Sequence, residues 1–158
     1  MKKINIIIER EAISSNDKIY GVNKRGSRHL YKNEKTILLT QLHAIIGKTE
    51  TTERKAFKIS RYWGKRKSQF DEANLIGGFK IFIDCLTELG HLKDDNPDYF
   101  KGYYSQQKSS SDLGYIELIE LDPQNELKTA FEGIAKTFEI SSDTLLRVAK
   151  ETKLTKDE

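Results

Sequence analysis

The sequence predicts an α+β fold: a small mixed β-sheet with two helices packed on it, in the order β-α-β-α-β-β, and a C-terminal helical pair. Short runs of β-branched and aromatic residues predict the strands, and apolar residues at three- and four-residue spacing predict the helices. A chain of 158 residues is long enough to bury a core without disulfides. We assign residues 1–122 to the main domain and residues 123–158 to a helical extension.

The first half of the chain alternates strands and helices. Lys3 to Ile8 is rich in isoleucine without alternation, which favours a strand buried on both faces. Residues 10–30 are polar and predict a long loop. Residues 32–46 carry apolar side chains at helical spacing and end at Gly47, and Ala56 to Trp63 predicts a second strand.

The clearest helix lies in the second half and runs from Leu75 to Leu89. It ends at Gly90, a residue type that is common just after helix ends. One apolar stripe is predicted at Leu75, Phe79, Phe82, Leu86 and Leu89, and Ile76 and Ile83 widen it. The later segments predict a pair of strands and then the two helices of the tail, at residues 99–106, 113–121, 124–138 and 142–152.

The net charge of +3 hides an asymmetry along the chain. Residues 1–93 carry 19 Lys and Arg against 10 Asp and Glu, whereas residues 94–158 carry 8 against 14. A local basic surplus is typical of proteins that bind phosphates, although a solvated basic face has the same composition. The single cysteine, Cys85, excludes an internal disulfide, fits a cytoplasmic location and is expected to be a small buried apolar residue. No apolar run is long enough to predict a membrane span.

Acidic residues lie at both ends of the clearest helix, with a lysine inside it. Asp71 precedes the helix, Asp94 and Asp95 follow it, and Lys80 and Asp84 are four residues apart within it. Carboxylates that hold Mg²⁺ or Mn²⁺ can polarise a phosphate and activate water, so this pattern suggests a metal-dependent nuclease. The helix spans roughly 22 Å at about 1.5 Å per residue, so its two ends share a metal only if the chain folds back. A simple surface ion pair is the alternative for Lys80 and Asp84.

Basic residues near this segment are candidates for contacts with a nucleic acid. They lie in the polar loop, in the second strand and in the turn that follows that strand. The predicted DNA-binding residues are Lys24, Arg25, Arg28, Arg61, Lys65, Arg66 and Lys67.

The region around this helix resembles the RusA-type Holliday junction resolvases, a family of phage and prophage endonucleases. That family carries an Asp-x-Asp-Asn-Leu segment, a lysine, an aspartate four residues later, and then a glycine followed shortly by Asp-Asp. The chain has the same order at Asp71, Asn74-Leu75, Lys80, Asp84, Gly90 and Asp94-Asp95. The resemblance covers about residues 3–121, including the isoleucine-rich start and the loop after it.

The resemblance implies a homodimer that binds four-way DNA junctions and cuts them with Mg²⁺ or Mn²⁺. It implies catalytic roles for Asp71, Lys80 and Asp95, and supporting roles for Asn74 and Asp84. The implied metal ligands, with Glu72 as a possible substitute, are Asp71, Glu72, Asp94 and Asp95.

One position departs from the family pattern, because Ala73 stands where the second aspartate of the Asp-x-Asp pair is expected. Residues i and i+2 of a strand face the same side, so Asp71 and an aspartate at position 73 would share a metal. Glu72 could substitute if the backbone turns there. A shifted register puts Gln69 and Asp71 at the pair, but Asn74-Leu75 then no longer fits. Weak metal binding, or a junction binder that does not cut, is therefore an open alternative.

The tail offers a further alternative from another functional class. Residues 134–151 resemble a helix-turn-helix unit, which would make the chain a DNA-binding regulator. The acidic balance of the tail favours instead a helical hairpin that packs on the domain or on a dimer partner.

Overall fold

A computed structural model describes residues 4–10 and 25–138, together with 141, 144 and 147; for residues 25–30 and 138 it describes the backbone alone. The sheet is mixed and helices pack with it, which confirms the α+β class. The elements are β1 Asn5–Ile8, α1 Arg25–Ile46, β2 Lys55–Trp63, α2 Glu72–Glu88, β3 Phe100–Lys108, β4 Tyr115–Leu121 and α3 Pro123–Phe138.

The chain divides into two compact units, Met1–Glu120 and Leu121–Glu158. The first unit contains the sheet, α1 and α2, and the second contains α3. The predicted second tail helix, residues 142–152, lies outside the described residues except for 144 and 147.

The four strands in the described part of the chain are ordered β1-β4-β2-β3 across the sheet. β1 pairs with β4 antiparallel, and β2 pairs with β3 parallel, from Lys55 opposite Phe100 to Trp63 opposite Lys108. The predicted strand pair of residues 99–106 and 113–121 is therefore wrong, because β2 lies between β3 and β4. The helix α2 returns the chain to the start of β2, so β3 runs beside β2 in the same direction.

The core lies between the sheet and the apolar faces of α1 and α2. The predicted stripe of α2 is buried, at Leu75, Phe79, Phe82, Leu86 and Leu89. Ile83 is also buried as predicted, but Ile76 is 41% exposed and does not widen the stripe. Since each buried residue of this size contributes about 1.5–3 kcal/mol, this face alone ties α2 firmly to the sheet.

Two predictions about the N-terminal elements are wrong. β1 was predicted to be buried on both faces, but it is an edge strand in which Ile7 is 57% exposed. The buried strand is β2, which lies between β4 and β3. α1 begins at Arg25, inside the segment predicted as a loop. The start of α1 was not predicted because its first turns are mainly polar, and the apolar spacing used for the prediction begins at Ile37.

Glycine closes α2 and directs the chain toward the loop that carries Asp95. Gly90 has a φ of +75°, as expected for the residue after a helix end. A Cβ at this position would lie 1.8 Å from the Thr49 carbonyl oxygen, so no other residue fits here without a backbone shift. The Thr49 amide also donates to the Leu89 carbonyl at 2.9 Å, which holds the two segments together.

Candidate functional site

A cluster of one lysine and two carboxylates forms on the solvent side of α2. The Lys80 ammonium donates to Asp84 Oδ1 at 2.7 Å and also to Asp95 Oδ2. Asp95 is 15 residues further along the chain, so the loop after Gly90 folds back along the helix. The cluster is half exposed, with Lys80 at 49%, Asp95 at 40% and Asp84 at 25%.

The loop that presents Asp95 is held by its own side chains. Asp94 accepts a hydrogen bond from the Asp95 amide at 2.7 Å and another from the Asn96 side chain at 2.9 Å. The Asn96 side chain in turn accepts from the Asp98 amide at 3.0 Å. The bond from the Asp98 amide to Asn96 is an Asx turn, and the three bonds together fix a short loop without regular structure, so Asp95 is held in place before any ligand arrives. Asp94 is therefore engaged with the loop backbone.

The charges of this cluster stabilise one another. Burial acts to lower the pKa of Lys80, but its hydrogen bonds to Asp84 and Asp95 outweigh burial and raise it. The hydrogen bond from Lys80 and its positive charge lower the pKa of Asp95. At neutral pH the lysine is therefore cationic and Asp95 is ionised.

The cluster extends to α1 through Tyr31, a residue that the sequence analysis did not identify. The Tyr31 hydroxyl donates to Asp84 Oδ2, the carboxylate oxygen that Lys80 does not use. One turn further along both helices, Lys35 pairs with Glu88 at 2.8 Å. Tyr31 and Lys35 are four residues apart, so a helix predicted to begin before residue 31 would have placed them on one face. This spacing was the only sequence feature that could have pointed to Tyr31.

A second tyrosine, Tyr104 on β3, lies near the lysine. Its ring stacks on Phe79 with 5.8 Å between centroids. Burial raises the pKa of the Tyr104 phenol, and the nearby Lys80 charge acts in the opposite direction. Gly102 leaves the space for this ring, since a Cβ there would lie 2.2 Å from the Tyr104 hydroxyl oxygen.

Asp71 has a different environment from the cluster and begins α2 as its N-cap. One carboxylate oxygen accepts from the Asn74 amide at 2.8 Å, and the other accepts from the Asn74 side chain. Such a cap satisfies an amide that the helix leaves unpaired. Glu72 lies exposed in the first turn. Asp71 and Lys80 are nine positions apart, about 13.5 Å along the helix axis at 1.5 Å per residue.

The implied metal ligands are not assembled in this arrangement. Among residues 4–10 and 25–138, and at 141, 144 and 147, no group of three or more His, Cys, Asp and Glu side chains is placed to hold a metal ion. Asp71 is engaged by Asn74, and Asp95 is engaged by Lys80. The carboxylates as they are placed therefore do not fit a magnesium centre made of Asp71, Glu72, Asp94 and Asp95.

The predicted DNA-binding residues fall into three groups. Lys65, Arg66 and Lys67 are exposed in the turn after β2, which we call the basic turn (residues 64–68). Lys24 lies outside the described residues, and for Arg25 and Arg28 the backbone alone is described, in the first turns of α1.

Arg61 was predicted to contact DNA, but it is fully buried. Its guanidinium stacks over Phe70, 3.5 Å from the ring centroid, and donates to the Ser68 carbonyl at 2.9 Å. It also donates to the Gln106 side chain at 3.3 Å. Arg61 is therefore a structural residue that anchors the basic turn from below, and its position on a predicted strand could not distinguish the two roles.

Two further expectations concern Cys85 and the membrane. Cys85 is buried as predicted, and burial raises the pKa of its thiol to about 12, which leaves no reactive thiolate at neutral pH. No helix in the described part of the chain combines the length and the apolar composition needed to cross a membrane.

Comparisons with known proteins add no assignment to this geometry. The chain matches no model of a known protein family, and it has no significant match among curated proteins.

Proposed function

We propose that the chain is a RusA-type endonuclease that cuts branched DNA as a homodimer, with Mg²⁺ or Mn²⁺ as cofactor. The observation that carries this proposal is the contact between Lys80 and Asp95. The resemblance to the resolvases assigns these two residues to one site, although 15 positions separate them in the sequence.

The chemistry of Lys80 suits a phosphodiester substrate. An ammonium group has three N–H donors, and two of them contact Asp84 and Asp95. The third donor is left for a ligand oxygen, since the described residues include no further hydrogen-bond acceptor for Lys80. An ammonium group that two carboxylates hold in position can orient a phosphate oxygen through its remaining N–H donor.

The metal requirement has a structural consequence. Because the carboxylates do not form a metal cluster as placed, cleavage with Mg²⁺ or Mn²⁺ requires a rearrangement that brings Asp71 or Glu72 to Asp95.

The decisive experiment is the cleavage of a synthetic four-way junction with Mg²⁺ or Mn²⁺, with a chelator as control. We expect Lys80→Met and Asp95→Asn to reduce the cleavage rate by about 10²-fold or more, as the loss of a transition-state contact does. The matched controls are Lys128→Met, an exposed helical lysine, and Asp98→Asn, an exposed aspartate of the same loop as Asp95. Equal loss in a control and its partner variant contradicts the assigned site.

A second candidate is a junction-binding protein that does not cut. It is favoured by Ala73, which replaces the expected second aspartate, and by the absence of a carboxylate cluster from the described residues. The variant Ala73→Asp distinguishes the two candidates, because residue 73 is exposed in the first turn of α2 and tolerates an acidic side chain. Binding without cleavage in the wild type, together with metal-dependent cleavage by Ala73→Asp, supports the second candidate. Absence of junction binding contradicts both.

A further inference from the structure

We infer that Tyr31 is a positioning residue of this site: through Asp84 its hydroxyl holds the Lys80 ammonium in the orientation that faces Asp95. The inference rests on the proposed function for the role of the site, but its geometry is tested independently of DNA cleavage. It joins α1, which neither the motif nor the resemblance assigns to the site, to the candidate catalytic lysine.

The evidence is a continuous chain of hydrogen bonds from one helix to the next. Tyr31 donates to Asp84 Oδ2, Lys80 donates to Asp84 Oδ1, and Lys80 also donates to Asp95 Oδ2. Each oxygen of Asp84 therefore has one donor, and neither can turn toward solvent without losing a bond. Asp84 is the least exposed member of the cluster, at 25%, so water competes less for it than for Asp95.

A fixed carboxylate has a direct consequence for the lysine. The four-carbon stem of lysine is flexible, and an exposed ammonium visits many positions. Asp84 restricts Lys80 to one of them only if Asp84 itself is held, and the hydroxyl of Tyr31 supplies that restraint from a separate helix. The cost of orienting the ammonium is then met during folding, before a phosphate binds.

A purely structural role is the competing explanation, because Tyr31 also ties α1 to α2. Glu88 provides the matched control for this role. It pairs with Lys35 one turn further along the same two helices, at 2.8 Å, and it makes no contact with Lys80. Glu88→Gln therefore weakens the contact between the helices and leaves every hydrogen bond of the cluster in place, although Lys35 also lies within electrostatic reach of Asp84.

The experiment compares the ammonium proton signals of Lys80 in ¹⁵N NMR spectra of the full chain. For Tyr31→Phe we expect the Lys80 ammonium protons to exchange with water roughly three- to tenfold faster, which is the order expected for loss of a hydrogen bond to a half-exposed charged group. Glu88→Gln has a clearly smaller effect on this rate, because it removes no hydrogen bond of the cluster. In the background of Asp84→Asn, the further change Tyr31→Phe has no added effect, since the two residues act in series.

The outcomes separate the two explanations. An unchanged exchange rate in Tyr31→Phe overturns the inference, and so does an equal change in Glu88→Gln. If the wild type neither binds nor cuts four-way junctions, the proposed function is wrong while the NMR result on Tyr31 still stands. If the chain cuts junctions, Tyr31→Phe should lower kcat more than it changes KM, because orientation of the lysine affects the reacting complex.

Discussion

Lys80 illustrates how a single residue can be held in a functional orientation at a protein surface. Its stem leaves α2 beside the buried stripe, and its ammonium lies between carboxylates from its own helix and from a following loop. Burial opposes the charged state, and the two carboxylates more than offset that cost. The pair of Lys80 and Asp84 was also compatible with an ordinary surface ion pair. The contact with Asp95 could not be predicted from spacing, because it depends on the path of the loop after Gly90.

At the same scale, the contact between Lys80 and Asp95 predicts how the pKa of Asp95 responds to loss of the lysine. Its pKa lies below the ordinary value because Lys80 donates a hydrogen bond to it. The contact therefore stabilises the fold above the pKa of the unfolded chain, and this contribution is lost as the pH falls through the lower folded pKa. We expect Lys80→Met to raise the pKa of Asp95, as measured by carboxyl ¹³C NMR titration, while Lys128→Met leaves it unchanged. An unshifted Asp95 in Lys80→Met contradicts the pairing.

At the scale of the element, the basic turn is a rigid platform. Buried Arg61 holds the Ser68 carbonyl, and Gln106 of β3 holds the backbone of Phe70 on the far side of the turn. Gly64 allows the turn to approach the loop before β4, since a Cβ there would lie 2.2 Å from the Asp112 carbonyl oxygen. The exposed cations of the turn are thus carried on a fixed backbone and not on a loose loop.

If the basic turn contacts DNA phosphates, its cations contribute to the salt dependence of junction binding. Replacement of Lys65, Arg66 and Lys67 by glutamine should flatten the dependence of log K on log salt concentration for junction binding, by about 0.9 for each lost phosphate contact. The measurement is a binding titration at several salt concentrations. The matched control replaces Lys32, Lys48 and Lys101, which are exposed at other places in the first unit. An equal change of slope in both variants indicates a general charge effect and contradicts a local DNA contact.

The individual elements also show which features of the fold can be predicted from the sequence and which cannot. The stripe of α2 was predictable, because its five apolar residues repeat at helical spacing and all five are buried. The partner of β3 was not, because pairing between strands depends on where α2 returns the chain. The same limit applies to the site: residue types and order predicted Lys80, Asp84 and Asp95, whereas the role of Asp71 as the cap of α2 depends on where that helix begins.

At the scale of the whole molecule, charge is divided between the two units. Residues 1–120 carry 21 Lys and Arg against 16 Asp and Glu, and residues 121–158 carry 6 against 8. The basic turn and the Lys80 cluster both belong to the first unit. The segment that resembles a helix-turn-helix, residues 134–151, belongs to the second, acidic unit, and most of it lies outside the described residues. The distribution of charge therefore favours DNA binding by the first unit.

Removal of residues 124–158 tests this division directly. The shortened chain keeps every strand that the structure describes and the whole candidate site, because β4 ends at Leu121. Since the deleted segment carries 6 Lys and Arg against 7 Asp and Glu, it removes no basic surplus, and we expect the Kd for a four-way junction to stay within about threefold of the full-length value at fixed salt. Circular dichroism and thermal unfolding establish first that the shortened chain is folded. If it folds and loses DNA binding, the tail is the DNA-binding element, and a regulator that uses this tail replaces the nuclease as the function of the chain.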